Sequence, residues 1–423
     1  MMIYILMPKN TGNYYQKLKI SYGTEKPLPY MSYSFNHYLA EIKDKIAELG
    51  DDWNIYKKYT NPYEYVHTNS YRTSVCKYKP ISRAYFKLIE IINTFNFQSL
   101  ETKAPMKMFA LAEGPGGFIE AAINHREDNP LDTFFGMTIE DSNDSEVPGW
   151  KKSGNFLKAH PNVFLEKGAD GTGNILNIEN FRHVVANFKG SVDFVTGDGG
   201  FDFSTDFNNQ ELSVLNLLFA QIAYAACIQK RGGSFVLKCF DCFQKATAEL
   251  IFLLSSFYEK VYVTKPNTSR FANSERYIVC VNFLASNAEI IPIFDELMVN
   301  VSENPTGFVK SFFNGFRVPM VFYNKLEECN SVICQVQLDN IHNTISLIKN
   351  NYKNEKINHI MKTNLQKCIH WCFKNKVDFN ANVSIHDFSD KKFFKRTVSA
   401  EGPLTHSFSL ADYEESSSDE NSK

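Results

Sequence analysis

What this 423-residue chain lacks narrows it first. No stretch is long and apolar enough for a bilayer-spanning helix. The opening Met-Met-Ile-Tyr-Ile-Leu-Met gives way at once to Pro8 and is too short for a signal peptide. Nor is there a disulfide framework, since nine cysteines, an odd number, are scattered through a long chain. A surplus of either charge is missing too: 45 basic residues stand against 47 acidic. That argues against a protein that coats nucleic acid non-specifically, yet leaves room for a local basic groove. No internal repeat is found. The expectation is a soluble protein of a reducing, cytoplasmic setting with no membrane partner, the nucleus remaining open.

What is abundant is aromatic: 36 Phe and 21 Tyr, enough for a large core and for stacking surface besides. Four segments are expected. Residues 1–75 form a partly helical N-terminal extension, with apolar positions at helical spacing from Asn36 to Leu49. Residues 76–300 alternate helices with short apolar runs. Residues 301–410 are mixed or helical, with a helix over Ile357–Phe373, and residues 411–423 are an acidic, disordered tail. In the second segment a helix is expected over Ser82–Phe95 and a longer one over Gln210–Gln229, ended by Gly232-Gly233. Strands read at Met108–Ala112, Phe134–Ile139, Val163–Glu166, Val192–Thr196, Ser234–Lys238, Val261–Thr264 and Tyr277–Phe283. Such alternation predicts an α/β, doubly wound, Rossmann-like sheet of seven strands. The last two strands are too close for a helical crossover, so the final one should be antiparallel.

Glu113-Gly114-Pro115-Gly116-Gly117-Phe118 follows the first of these strands and opens a helix. Glycines let the backbone turn sharply and approach a ligand. Pro115 lacks the amide that a pyrophosphate would want, and the acid precedes the glycines. The turn therefore suits the amino-acid end of S-adenosylmethionine better than a dinucleotide, and undercuts a dehydrogenase. The competing reading is a tight turn with no ligand. Asp170-Gly-Thr-Gly-Asn174 follows the third strand on the same edge, where Asp170 or Asn174 can accept a hydrogen bond from an adenine amino group; an ordinary glycine loop is the alternative.

Four charged residues from distant positions are predicted on that edge. Asp198 and Lys238 end the fourth and fifth strands, Glu275 begins the antiparallel last one, and Lys87 lies early in the helix preceding the first. Taken singly, each is as well explained by a surface ion pair. Together they suit methyl transfer from a sulfonium to an alcohol, an in-line displacement in which the hydroxyl must lose a proton. A lysine beside a second ammonium can take or steer that proton, with Asp198 and Glu275 orienting it. Arg83 and Arg270 flank the crevice as candidates for RNA phosphates, or else as structural ion pairs. Cys239-Phe-Asp-Cys242 is a lone pair with no second half, Cys368-Ile-His-Trp-Cys372 does not put all its soft ligands on one helix face, and no metal site is expected.

At these residues the chain resembles the RrmJ/FtsJ-like ribose 2′-O-methyltransferases, and among them the cap-specific mRNA enzymes. Ser82-Arg-Ala-Tyr-Phe-Lys87-Leu, Phe135-Gly-Met-Thr138, Asp170-Gly-Thr-Gly, Asp198-Gly-Gly-Phe201, Lys238-Cys-Phe-Asp241 and Lys265-Pro-Asn-Thr-Ser-Arg-Phe-Ala-Asn-Ser-Glu-Arg-Tyr277 carry the likeness, over about Cys76 to Leu284. It implies a class I methyltransferase fold and a Lys87–Asp198–Lys238–Glu275 tetrad. The implied cofactor is S-adenosylmethionine, held by residues 113–118, Thr138, Asp170, Asn174 and Asp198. It further implies methylation of the first or second transcribed nucleotide of capped RNA, in the company of other capping or transcription proteins. Asn174 stands where an acid is expected in that family. Methylation of ribosomal or transfer RNA, and a catalytically silent RNA-binding subunit, are the alternatives. The Asn-, Lys- and Phe-rich composition points to an AT-rich genome, such as that of a large DNA virus or a protist.

Overall fold

The computed structural model describes residues 2–68, 73–140, 149–200, 208–313, 315–350 and 354–388. The chain divides into two compact units, Met1–Glu48 with Pro80–Asp339, and Leu49–Lys79 with Asn340–Lys423. The acidic tail and Phe201 lie outside the described residues.

Among the described residues the first unit has ten strands: β1 (Ile3–Leu6), β2 (Leu18–Gly23), β3 (Lys107–Leu111), β4 (Thr133–Met137), β5 (Val163–Leu165), β6 (Val192–Gly197), β7 (Gln229–Cys239), β8 (Tyr258–Lys265), β9 (Arg276–Phe283) and β10 (Phe308–Phe313). Eight of them form one sheet in the order β1-β8-β9-β7-β6-β3-β4-β5. Pairing is parallel from β7 through β5, while β9 lies antiparallel between β7 and β8. This is the doubly wound sheet with a reversed last strand. Its central strands are apolar throughout, as burial on both faces requires: Met108 to Leu111 are fully buried in β3, and Phe235 to Leu237 in β7.

Helix Leu215–Ile228 is buried along its whole length. A helix apolar on every side has no solvent face; this one packs on β6 and β7 and against helix Asn287–Glu303. Phe219 stacks on Phe312 of β10 with ring centroids 5.0 Å apart, tying in the second, two-stranded sheet of β10 and β2.

Three differences from the sequence reading have physical causes. The sheet has eight strands rather than seven, because β1 pairs antiparallel with β8, where Thr264 Oγ1 donates to the Ile3 carbonyl at 2.6 Å. Residues 1–48 thus belong to the same unit as the main sheet, whereas 49–79 pack with 340 onward. The long helix expected from Gln210 is divided at Val214, and Gly232-Gly233 lies inside β7. There Gly232 at φ +88° accompanies a register shift against β6.

The second unit contains helix Gly50–Thr60 and helix Asn354–Lys374. Cys368, Trp371 and Cys372 are buried there, as core. Cys239 and Cys242 are likewise buried in the first unit. Among the described residues no group of His, Cys, Asp and Glu could hold a metal ion, and no helix is long and apolar enough to cross a membrane.

Candidate active site

Parallel strands that share a direction deliver their C-terminal residues to one edge, and the antiparallel β9 delivers its first residues there. Lys238 is the tenth residue of β7, Asp198 follows β6, and Glu275 directly precedes β9. Helix Ala84–Phe95 brings Lys87 in its first turn.

The structure joins these four residues as two ion pairs. Lys87 Nζ lies 2.8 Å from the Glu275 carboxylate. Lys238 Nζ donates to the Asp198 carbonyl at 2.6 Å and lies 3.4 Å from its Oδ1. Tyr277 links the pairs: its hydroxyl donates to Asp198 Oδ1 at 2.9 Å, and its ring lies 5.9 Å beneath the Lys87 ammonium. All four charged side chains are 10–16% exposed. Burial pushes the Glu275 carboxyl up, but the Lys87, Lys238 and Lys265 ammoniums outweigh it and hold the group at about 2. Burial and the nearby Asp198 and Glu275 carboxylates push the Tyr277 phenol well above its ordinary value, which keeps it a neutral donor.

The glycine turn is held from outside by a neighbouring loop. Ser153 Oγ donates to the Pro115 carbonyl at 2.6 Å. A Cβ on Gly114 would meet the Gly149 carbonyl oxygen at 2.4 Å, and one on Gly116, which sits at φ +104°, would meet the Trp150 ring at 3.0 Å. Trp150 therefore packs directly on the turn, and no spacing pattern in the sequence marks it. Beneath the turn, Glu113 Oε1 accepts the Phe118 amide, while Glu113 Oε2 is buried with no partner. Burial pushes this carboxyl well above its ordinary range. Phe118 is fully buried, its ring centroid 6.1 Å from that of Tyr277.

The loop after β5 has a different internal logic. Asp170 Oδ1 accepts the Thr172 amide at 2.8 Å, the Thr172 hydroxyl at 2.7 Å and Asn180 Nδ2 at 2.9 Å, while Oδ2 accepts Asn177 Nδ2 at 2.7 Å. Asp170 thus shapes its own loop. Asn174 Oδ1 accepts the Leu176 amide at 3.0 Å. Gly173, at φ +67°, would drive a Cβ to 2.0 Å from the Thr138 carbonyl oxygen, so Thr138 and this loop approach each other as only glycine allows.

Arg83 immediately precedes the helix that carries Lys87, and Arg270 is exposed in the loop that leads to Glu275. Sequence reasoning gave no role to Lys265, the last residue of β8. It is 2% exposed and donates to the Glu275 carbonyl at 2.6 Å. Burial, aided by Arg276 and Lys87 and opposed by Glu275, pushes its ammonium down to about 7.

A Rossmann-like sheet with a reversed strand, a glycine cradle over an unpartnered buried carboxylate, and a Lys-Asp-Lys-Glu cluster together define a class of protein. Residues 80–283 match the family model described as FtsJ-like methyltransferase. The chain is 27% identical over 326 residues to the cap-specific mRNA (nucleoside-2′-O-)-methyltransferase 2 of Drosophila melanogaster, covering 74% of this chain and 45% of that protein. It is 31% identical over 236 residues to the cap-specific mRNA (nucleoside-2′-O-)-methyltransferase 1 of Trypanosoma brucei brucei (strain 927/4 GUTat10.1), covering 54% and 61%. To the methyltransferase 1 of that name from Mus musculus it is 38% identical over 172 residues, covering 40% and 20%. The chain spans less than two thirds of the length of each of these relatives.

The residues present fit S-adenosylmethionine. The lone Glu113 oxygen matches the ammonium of an α-amino acid.

Proposed function

We propose that the chain is an S-adenosylmethionine-dependent mRNA cap ribose 2′-O-methyltransferase, acting on the first or second transcribed nucleotide of capped RNA in the cytoplasm. The observation that carries the reading is the pairing of Lys87 with Glu275 and of Lys238 with Asp198 on the sheet edge beside the glycine cradle. The names of the relatives support capped mRNA as the substrate over ribosomal or transfer RNA.

In this reading Glu113 and the 114–117 backbone bind the amino-acid end of the cofactor, with Thr138 and the 170–174 loop on its nucleoside side. The bound cofactor supplies a methyl group on a sulfonium. The ribose hydroxyl must then be held in line and relieved of its proton. Lys238, fixed by two contacts to Asp198, holds the 2′-oxygen in line; standing as the neutral amine it takes the hydroxyl proton as the methyl bond forms, and becomes the ammonium that Asp198 pairs. Lys87, fixed by Glu275, holds the same oxygen from the helix side. Tyr277 keeps the two ion pairs in register, its hydroxyl on Asp198 and its ring face on the Lys87 ammonium. Arg83 and Arg270 take RNA phosphates.

The test is methyl transfer from labelled S-adenosylmethionine to short capped and uncapped RNAs, with Lys238→Ala beside the wild type and cofactor affinity measured by calorimetry. Label at a ribose 2′-oxygen of capped RNA alone, lost in Lys238→Ala with cofactor affinity unchanged, is the expected result. Cofactor binding without transfer to either RNA would overturn the cap assignment.

A further inference from the structure

Directly behind the Lys87–Glu275 pair lies a second polar layer that none of the steps above uses. Lys265 Nζ donates to the Glu275 carbonyl at 2.6 Å, to the Asn273 carbonyl at 2.9 Å and to Asn273 Oδ1 at 2.9 Å, with Ser269 Oγ at 3.4 Å. An ammonium has three hydrogens, and these acceptors engage all of them. Ser269, itself fully buried, donates its hydroxyl to Glu275 Oε1 at 2.8 Å. Main chain and carboxylate of the same residue are therefore held separately, the first by Lys265 and the second by Ser269.

The other end of the loop is held just as firmly. Glu90 sits one turn after Lys87 on the same helix and is 3% exposed. Its carboxylate accepts the Asn267 amide at 3.1 Å and Nδ2 at 2.7 Å, and the Thr268 amide at 3.2 Å and Oγ1 at 3.1 Å. The helix that supplies Lys87 thus fixes the start of the loop, and Lys265 fixes its finish at Glu275. Taking an ammonium out of water is strongly unfavourable, and an apolar side chain of similar length would fill the space without that penalty. The charge acts on the loop carbonyls and on Glu275.

We propose that Lys265, with Ser269, is a positioning residue for methyl transfer: it sets the backbone at Glu275 so that the carboxylate meets Lys87. The inference rests on the methyltransferase reading. In Lys265→Met the side chain keeps its length and loses its charge and donors. Its kcat on capped RNA should fall about 10- to 100-fold, the range that a small misplacement of a reacting group produces. KM for RNA and Kd for S-adenosylmethionine should stay within about threefold, because Lys265 is enclosed behind Glu275. A packing role alone would lower the unfolding midpoint and leave kcat of the folded enzyme unchanged. Ser269→Ala removes one hydroxyl, covers the case in which Lys265→Met does not fold, and should lower kcat about tenfold.

A crystal structure of either variant reads the same point without activity. The expected result is a Lys87–Glu275 separation opened beyond the 2.8 Å of the wild type. Wild-type kcat in both variants, or that separation retained in both, would overturn the proposal. Should the wild type itself fail to methylate capped RNA, the functional reading fails, and the separation still decides the positioning.

Discussion

Glu275→Gln tests the electrostatics of the site at the group on which three ammoniums converge. The wild-type carboxyl is held at about 2 against an ordinary 4.5, by Lys87, Lys238 and Lys265 acting against burial. That difference corresponds to about 3 kcal/mol of stabilisation in the ionised state. Breaking a buried pair by removing one partner costs roughly 3–5 kcal/mol by an independent route, because the other charge stays behind. The two figures agree, so the variant should lose about 3 kcal/mol at pH 7. The sign of the pH dependence follows from the folded value lying below the unfolded one. Above about 4.5 the carboxylate is ionised in both states and its contribution is complete; it is lost as the pH falls towards 2, where the folded group also takes up a proton. The variant has no such group, so the gap between the two proteins should close across that interval. Because the chain has two units, a single unfolding midpoint is ambiguous. Hydrogen exchange of peptides from β9, across a denaturant series at pH 7 and pH 3, reports on the unit that contains Glu275. A variant within about 1 kcal/mol of wild type at pH 7, with a gap that does not narrow in acid, would refute the reasoning.

Two further substitutions probe the cofactor side. Glu113→Gln keeps an acceptor for the Phe118 amide and replaces the unpartnered carboxyl oxygen with an amide nitrogen that cannot accept the cofactor's ammonium. Its Kd for S-adenosylhomocysteine, measured by calorimetry, should rise about tenfold or more, as loss of one charge-assisted hydrogen bond requires. Gly173→Ala puts a Cβ 2.0 Å from the Thr138 carbonyl in a left-handed backbone conformation. The expected loss is about 1–3 kcal/mol by hydrogen exchange of peptides from the main sheet, with weakened cofactor affinity, and unchanged values in both would mean that the loop has another low-energy path.

The sheet was legible because its strands are doubly buried and read as continuous apolar runs between helices. The tetrad was legible for a topological reason: once the strand directions are known, the residues ending β6 and β7 and the one preceding β9 must share an edge, whatever their distance in sequence. What was hidden had weaker local signals. Four-residue β1 is too short to show a period, and only its pairing with β8 defines it. Helix Met320–Lys349 escaped because Asn330, Gln337, Asn340 and Thr344 are buried along it and interrupt the apolar stripe that marks a helix. Asn330 is there for its hydrogen bonds, accepting from Arg276 at 2.8 Å and donating to the Cys242 carbonyl at 2.8 Å. Asp170 was legible as a loop residue near the site, but only the structure shows one oxygen bonded within its own turn and the other to Asn177 at the cap of the next helix.

Lys238 and Lys265 show where sequence reasoning reaches its limit in the site itself. Each stands at the end of an apolar strand, in Phe-Val-Leu-Lys238 and Val-Tyr-Val-Thr-Lys265, and nothing local separates them. Register does. β9 lies between their strands, with Tyr277 opposite Lys238 on one side and opposite Thr264 on the other. Side chains directly opposite share a face, and neighbours along a strand alternate, so Lys265, one residue past Thr264, starts from the other face. Lys238 remains 13% exposed beside Asp198, whereas Lys265 is enclosed and spends its donors on the loop behind Glu275. One residue of register thus turns the same side chain from a group that can meet a substrate into one that holds the group beside it.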